Sequence, residues 1–414
     1  MIDVSFRDGD TGQDWKSQAP NVTVLLMFAD RTRWNLQANQ FSQALERRRK
    51  SGDRILDLTA SNPTTVGMKY DESAILTALS KRESLLYEPD PKGLRSARKA
   101  VVRYYAERDG ETELDPDSTI LTASTSEAYS YLFRLLCNPG DEVLVGTPSY
   151  PLFEYLAEIQ DLRLISYELV YDHGWQIDFH SLRQKLTSRT RAIMLVHPNN
   201  PTGSYVSDDE RTELNAIASE HELALVVDEV FLDFPLDRAR RTSFAINTHA
   251  LTFTLSGLSK ICALPQMKLA WLIASGPEEL KREALARVEL IADTYLSPSA
   301  PVQHAAADFL AMRNAVQDQL IKRLEANLAE LDRQLSEQRI CERLDVEGGW
   351  YAVLRVPVTR TDEQLAVELL EQQSVVVHPG LFFDFDSDGY LVLSLITPEA
   401  IFAEGVRRVL KSVH

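Results

Sequence analysis

From about residue 56 to residue 274, short continuously apolar runs rich in β-branched residues alternate with longer stretches whose apolar positions recur every three or four residues. The runs 119–122, 143–146, 163–167, 192–196, 224–227, 251–255 and 269–274 read as seven strands. Between them lie helical patterns such as 127–136, with Ala128, Tyr131, Leu132 and Leu135 on one face, and 207–221. Strands alternating with helices build a mostly parallel sheet sandwiched by helices, and a strand covered on both faces has no reason to alternate polar with apolar positions. Ala224-Leu225-Val226-Val227 is such a run.

The pattern changes after residue 299. Residues 300–334 are helical, with Leu310, Leu320, Leu324, Leu328 and Leu331 at helical spacings. Strand-like 351–356, helical 361–373 and strand-like 375–377 and 390–396 then suggest a smaller α+β domain. The expected division is a loosely ordered extension at 1–28, an N-terminal arm at 29–55 that packs with the small domain, a large domain at 56–299 and a small C-terminal domain at 300–414. The length of 414 residues suits two or three domains.

Composition narrows the function. With 44 basic and 61 acidic residues the net charge is −17, which disfavours a nucleic-acid partner, since phosphate contacts need clustered Lys and Arg. The one basic run, Arg47-Arg48-Arg49-Lys50, reads as a solvated helix end. Cys137, Cys262 and Cys341 are far apart, so neither a disulfide framework nor a cysteine-built metal site is expected, and no metal is called for. The apolar stretch 22–29 is far shorter than a membrane span, and it follows the acidic Asp3, Asp8, Asp10 and Asp14 where a secretory signal would be basic. The expectation is a cytoplasmic protein with no membrane contact.

In an open α/β sheet, ligands bind beyond the carboxyl ends of the strands. The unusual polar residues of this chain fall there. Thr122-Ala123-Ser124-Thr125-Ser126-Glu127 leaves one strand and opens a helix, offering hydroxyls and free backbone N–H groups at a positive helix terminus. His197-Pro198-Asn199-Asn200-Pro201-Thr202-Gly203 leaves another strand in a tight turn, Asp228-Glu229 ends a third, and Ser256-Gly257-Leu258-Ser259-Lys260 leaves a fourth and supplies an amine. Each piece alone has a plainer reading: a serine before a helix is commonly just a cap, and Asn-Pro is commonly just a turn. Jointly, an amine, a carboxylate, an amide and an anion cradle at one sheet edge meet the needs of a pyridoxal-phosphate site.

At these residues the chain resembles the class I/II aminotransferases, pyridoxal-phosphate enzymes of fold type I. The resemblance runs from about Asp57 to Leu395. It rests on Ser61-Asn62-Pro63, Tyr87 to Gly93 (YEPDPKG), TASTSEA, Pro148-Ser149-Tyr150-Pro151, HPNNPTG, Asp228-Glu229-Val230-Phe231, and SGLSK followed by Trp271. It implies that Lys260 is the Schiff-base lysine and that Asp228 binds the pyridine nitrogen, keeping the ring protonated as an electron sink. It further implies that Asn200 donates to the phenolic oxygen, that Tyr150 stacks on the ring and that Ser124, Thr125 and Ser126 hold the phosphate. Tyr87 matches a tyrosine that reaches the phosphate across the interface of a homodimer. The implied reaction moves an amino group between an α-amino acid and a 2-oxo acid, with Lys260 shuttling the proton.

Three positions depart from the family pattern. Lys268 stands where an arginine commonly pairs with the phosphate, which keeps charge but loses the bidentate fork. Phe231 stands where a tyrosine commonly donates to the phenolic oxygen, and its loss should raise the pKa of the internal Schiff base. Val392, in Tyr390-Leu391-Val392-Leu393-Ser394, falls where an arginine clamps the substrate carboxylate. Arg31, Arg33 and Lys69 are candidate replacement cations, each with the plainer reading of an exposed surface charge; Asn62 is a further candidate substrate residue, and the His378-Pro379-Gly380 loop with Phe382 and Phe383 is either substrate wall or simply structure. Two other readings stay open: a pyridoxal-phosphate lyase or cyclopropane-forming synthase on the same fold, and a catalytically silent protein that keeps the fold, since function resides in the site.

Overall fold

The computed structural model describes residues 27–110, 114–237 and 241–413. Of the expected extension at 1–28, all but Met27 and Phe28 lies outside the described residues, and those two are exposed. The strands, in chain order, are β1 (Leu56–Asp57), β2 (Thr119–Thr122), β3 (Glu142–Thr147), β4 (Arg163–Tyr171), β5 (Trp175–Ile177), β6 (Thr190–Val196) and β7 (Ala224–Asp228). They continue with β8 (Thr252–Gly257), β9 (Ala270–Ser275), β10 (Glu342–Arg343), β11 (Tyr351–Arg355), β12 (Val375–Val376), β13 (His378–Pro379) and β14 (Tyr390–Ser394).

The large sheet has the order β2-β9-β8-β7-β6-β3-β4-β5. Neighbours are parallel from β8 through β7, β6 and β3 to β4, while β9 and β5 run antiparallel to theirs. The seven expected strands are all present, and an eighth, β5, pairs with the end of β4 across a turn at Gly174. At three residues on the sheet edge, β5 is too short to show a period of its own. Strands β2, β3 and β7 are buried at every position, as two covered faces require. Apolar clusters lie on both sides: Val143, Val145, Met194, Val226 and Leu255 face helices Thr125–Leu136 and Glu278–Tyr295, while Leu144, Ile193, Leu195, Leu225 and Val227 face Asp208–Glu220.

The small domain is a four-stranded antiparallel sheet, β10-β11-β14-β13, together with the β1-β12 pair. Its core joins Phe41, Ala44 and Leu45 of the helix Gln40–Lys50 to Leu56, Leu58 and Val66 and to the chain from Val316 on. One helix, Ala300–Ser336, spans both domains: Val302, Ala306, Phe309 and Leu310 pack in the large domain and Val316, Leu320, Leu324 and Leu331 in the small one. The basic run at the end of Gln40–Lys50 is spent locally, on Arg47–Glu371, Arg48–Asp53 and Lys50–Glu46 ion pairs. Among the described residues no helix is long and apolar enough to cross a membrane, and no group of three or more His, Cys, Asp or Glu could hold a metal ion.

Candidate active site

Five strand ends deliver the polar residues to one edge of the sheet. β2 ends at Thr122, and Ser124 caps the helix Thr125–Leu136: its side chain accepts from Glu127 N at 3.1 Å, while the Glu127 carboxylate accepts from Ala123 N at 2.6 Å. This reciprocal cap fixes a helix terminus whose first residues, Ser124, Thr125 and Ser126, stay partly exposed. After β3 the chain turns through Ser149 and Tyr150, held by Ser149 N donating to Phe383 O at 2.8 Å and by Asn199 Nδ2 donating to Pro148 O at 3.1 Å. After β6 come His197 to Gly203; the Asn200 side chain is buried and its Oδ1 has no partner among the described residues. β7 ends at Asp228, which is 7% exposed. β8 ends at Gly257, where a Cβ would stand 2.8 Å from that of Ala270, so only glycine lets β8 and β9 approach this closely just before the short helix Leu258–Ile261 that carries Lys260.

Asp228 and Lys260 face each other with a mutual electrostatic influence. Burial raises the Asp228 carboxyl to about 6; donation from Val230 N at 3.1 Å and Tyr129 Oη at 3.2 Å, and the Lys260 charge, hold it from going higher. Burial lowers the Lys260 amine to about 8, against the pull of Asp228. The amine lies 4.8 Å from the centre of the Trp350 ring and 5.4 Å from that of Phe231, and the two rings meet edge to face. Desolvation by this aromatic wall makes a neutral, nucleophilic amine accessible near neutral pH. Tyr150 stands close enough to Asp228 for the carboxylate to add to the upward shift that burial imposes on its hydroxyl. Tyr351 closes the small-domain side, bonded to Ser61 and near Tyr150, Phe231 and Phe383.

The fold thus gathers Ser124, Thr125, Ser126, Tyr150, Asn200, Asp228, Phe231 and Lys260. The other expected residues are exposed or engaged with other partners. Tyr87 is 78% exposed beside the exposed Leu85 and Leu86, and Lys268 is exposed with a left-handed backbone. Arg31 pairs with Asp161 and Arg33 with Asp30 at 2.6 Å, in an arm that docks through Trp34 on Glu158 and Tyr155. Asn62 accepts from Thr64 N at 3.0 Å as the cap of the turn Pro63–Thr65. Lys69 is exposed. Val392 is fully buried in β14, between Val353 and His378 in register, and β14 presents no cation. Tyr129, Trp350 and Tyr351 were not anticipated; their only sequence signal is an aromatic within a helix face or next to a glycine pair.

The donor set suits a flat, anionic, carbonyl-bearing ring. The helix terminus can take an anion, Asp228 a ring N–H, the Nδ2 of the buried Asn200 amide can donate to a ring oxygen, and the Lys260 amine can attack a carbonyl carbon. The family model described as aminotransferase class I and II matches residues 34–401. The chain belongs to this family. It is therefore an amino-group transferase, and it is 28% identical to an alanine aminotransferase of Mycobacterium tuberculosis H37Rv over 365 residues, 86% of this chain and 85% of the relative. It is 30% identical to the glutamate-pyruvate aminotransferase AlaA of Escherichia coli K12 over 261 residues, 63% of this chain and 64% of that protein. The fold is shared with an alanine aminotransferase from Pyrococcus furiosus at TM-score 0.82 and 24% identity, covering 91% and 99% of the two chains. A tyrosine aminotransferase from Leishmania infantum superposes at TM-score 0.80 and 21% identity, covering 91% and 98%. Fold-type I architecture is thus common to aminotransferases named for different amino acids.

Proposed function

We propose that this aminotransferase works with pyridoxal 5′-phosphate and moves an amino group between an α-amino acid and a 2-oxo acid, with Lys260 and Asp228 as its catalytic residues. The observation that carries the reading is the convergence of a desolvated amine, a buried carboxylate and a buried amide at the carboxyl edge of the sheet. When bound, the cofactor supplies an aldehyde that condenses with amines and a protonated ring that accepts electrons. Lys260 would hold it through its amine and, once freed by the incoming amino acid, would serve as the base that moves a proton at the substrate Cα. Asp228 would keep the ring nitrogen protonated. The Asn200 amide would donate to the ring oxygen, and Ser124, Thr125, Ser126 and the backbone N–H groups of their helix terminus would bind the phosphate, with Lys268 adding positive charge. Tyr150 would stack on the ring and fix its plane.

Phe231 withholds the hydroxyl that would share the ring oxygen, leaving Asn200 as its side-chain donor. The substrate carboxylate meets no arginine on β14, and Arg31 and Arg33 reach it only by leaving their acidic partners. Exposed Leu85, Leu86 and Tyr87 form an apolar strip of the kind that marks an interface, which supports a homodimer in which Tyr87 reaches the partner's phosphate site. Three free thiols suit the reducing cytoplasm.

The test is a visible spectrum of the cofactor-loaded protein with a panel of amino acids, followed by a search for an acceptor. Loss of the coloured band with one amino acid, and its return with a 2-oxo acid, is expected. Release of oxo acid and ammonia without any acceptor would replace this reading with a lyase.

A further inference from the structure

Asp228 is held at both oxygens. Oδ1 accepts from Val230 N at 3.1 Å, a contact made within its own turn, and Oδ2 accepts from Tyr129 Oη at 3.2 Å, a contact reaching across from the helix Thr125–Leu136. Tyr129 is 2% exposed, and its ring meets Phe153 edge to face at 5.3 Å and Phe133 at 6.0 Å. Its hydroxyl is therefore a polar group brought into an aromatic wall, at a cost that only a bonded partner offsets. Burial and the neighbouring carboxylate push that hydroxyl well above its ordinary range, so it remains a donor at every working pH. The other groups facing Asp228 are Lys260, Tyr150 and, from β6, His197, whose N donates to Asp228 O at 2.8 Å while its Nδ1 accepts from Val206 N.

The first turn of the same helix carries Ser124, Thr125 and Ser126. One rigid element thus presents hydroxyls and N–H groups where the phosphate is bound and, one turn on, a hydroxyl that grips the carboxylate at the other end of the cofactor. We propose that Tyr129 is a positioning residue, which orients Asp228 and keeps it ionised toward the ring nitrogen of the cofactor. The inference rests on the pyridoxal-phosphate reading of the site. Removing the hydroxyl leaves Asp228 with one fixed oxygen in a desolvated place, where the neutral carboxyl is favoured and the bond to the ring nitrogen weakens.

The experiment compares wild type with Tyr129→Phe, each freed of cofactor and titrated by quenching of intrinsic fluorescence with pyridoxal phosphate and with its 1-deaza analogue, which lacks the ring nitrogen. For pyridoxal phosphate, Kd rises roughly tenfold in the variant and kcat falls by a similar factor with KM for the amino acid little changed, as loss of one hydrogen bond to a charged group predicts. For the deaza analogue the variant and wild type bind alike. Equal weakening toward both ligands would make Tyr129 a packing residue and overturn the inference. So would no weakening toward either. A second variant bears 3-fluorotyrosine at position 129, a stronger donor in the same volume; tighter binding of pyridoxal phosphate is expected, and unchanged binding would overturn the inference even if Tyr129→Phe fails to fold. Wild type that takes up neither ligand would instead sink the cofactor reading itself.

Discussion

Lys260→Met in the cofactor-free protein should make the fold more stable while removing the reaction. The amine is lowered by burial from 10.5 to about 8, a difference that corresponds to about 3 kcal/mol. Below pH 8 the amine is charged in both states and the folded protein bears the whole cost of that buried charge. Between 8 and 10.5 the folded amine is neutral while the unfolded one keeps its proton, so wild-type stability rises with pH; above 10.5 the cost is gone. Methionine fills the same space against Phe231 and Trp350 without a charge. Asp228 loses its counter-charge in the variant and stays protonated to higher pH, which trims the gain to about 2 kcal/mol at neutral pH. Thermal unfolding of both proteins, followed by near-ultraviolet circular dichroism at pH 7, 8.5 and 10, reads this as a rise in Tm of roughly 2 °C at pH 7 that shrinks as the pH increases. A variant no more stable than wild type at pH 7, or a gain that does not decline with pH, would refute the reasoning.

Asp228→Asn should lower kcat roughly hundredfold or more in single-turnover measurements, because an amide cannot hold the ring nitrogen protonated. In the cofactor-free protein the same substitution should remove a pH dependence: with its carboxyl raised from 3.8 to about 6, Asp228 adds stability that is full below pH 3.8 and is lost as pH rises through 6, visible as a declining Tm in wild type only. Phe231→Tyr should return a donor to the ring oxygen, and the pH midpoint of the visible band of the loaded enzyme should fall by about one unit, read by spectrophotometric titration. Leu86→Glu should halve the molar mass seen by light scattering, since the exposed strip of Leu85, Leu86 and Tyr87 is assigned to the dimer contact.

The chain disclosed its large sheet because strands buried on two faces, such as Ala224-Leu225-Val226-Val227, are written as unbroken apolar runs; Trp175–Ile177 escaped because an edge strand of that length has no period to read. The strand-end residues of the site were equally legible, since topology alone sends Ser124, Asn200, Asp228 and Lys260 to one edge. What could not be read was anything that depends on side chains meeting across elements. Tyr129 looks in sequence like one more aromatic on a helix, and only the packing of that helix on β8 and β9 points its hydroxyl at Asp228. Trp350 and Tyr351 come from the small domain, about ninety residues beyond Lys260 in the chain, and no local pattern foretells that Trp350 walls the amine or that Tyr351 packs on Phe231 beside it. The ion pairs of Arg31 and Arg33 are likewise tertiary facts, and they change how those residues rank as carboxylate ligands.

The central claim is that one amine takes the cofactor. Incubation with pyridoxal phosphate, reduction with borohydride, proteolysis and peptide mapping should place the label on Lys260, with none in Lys260→Ala. A label on another lysine, or a protein that binds no cofactor and yields no labelled peptide, would contradict the account.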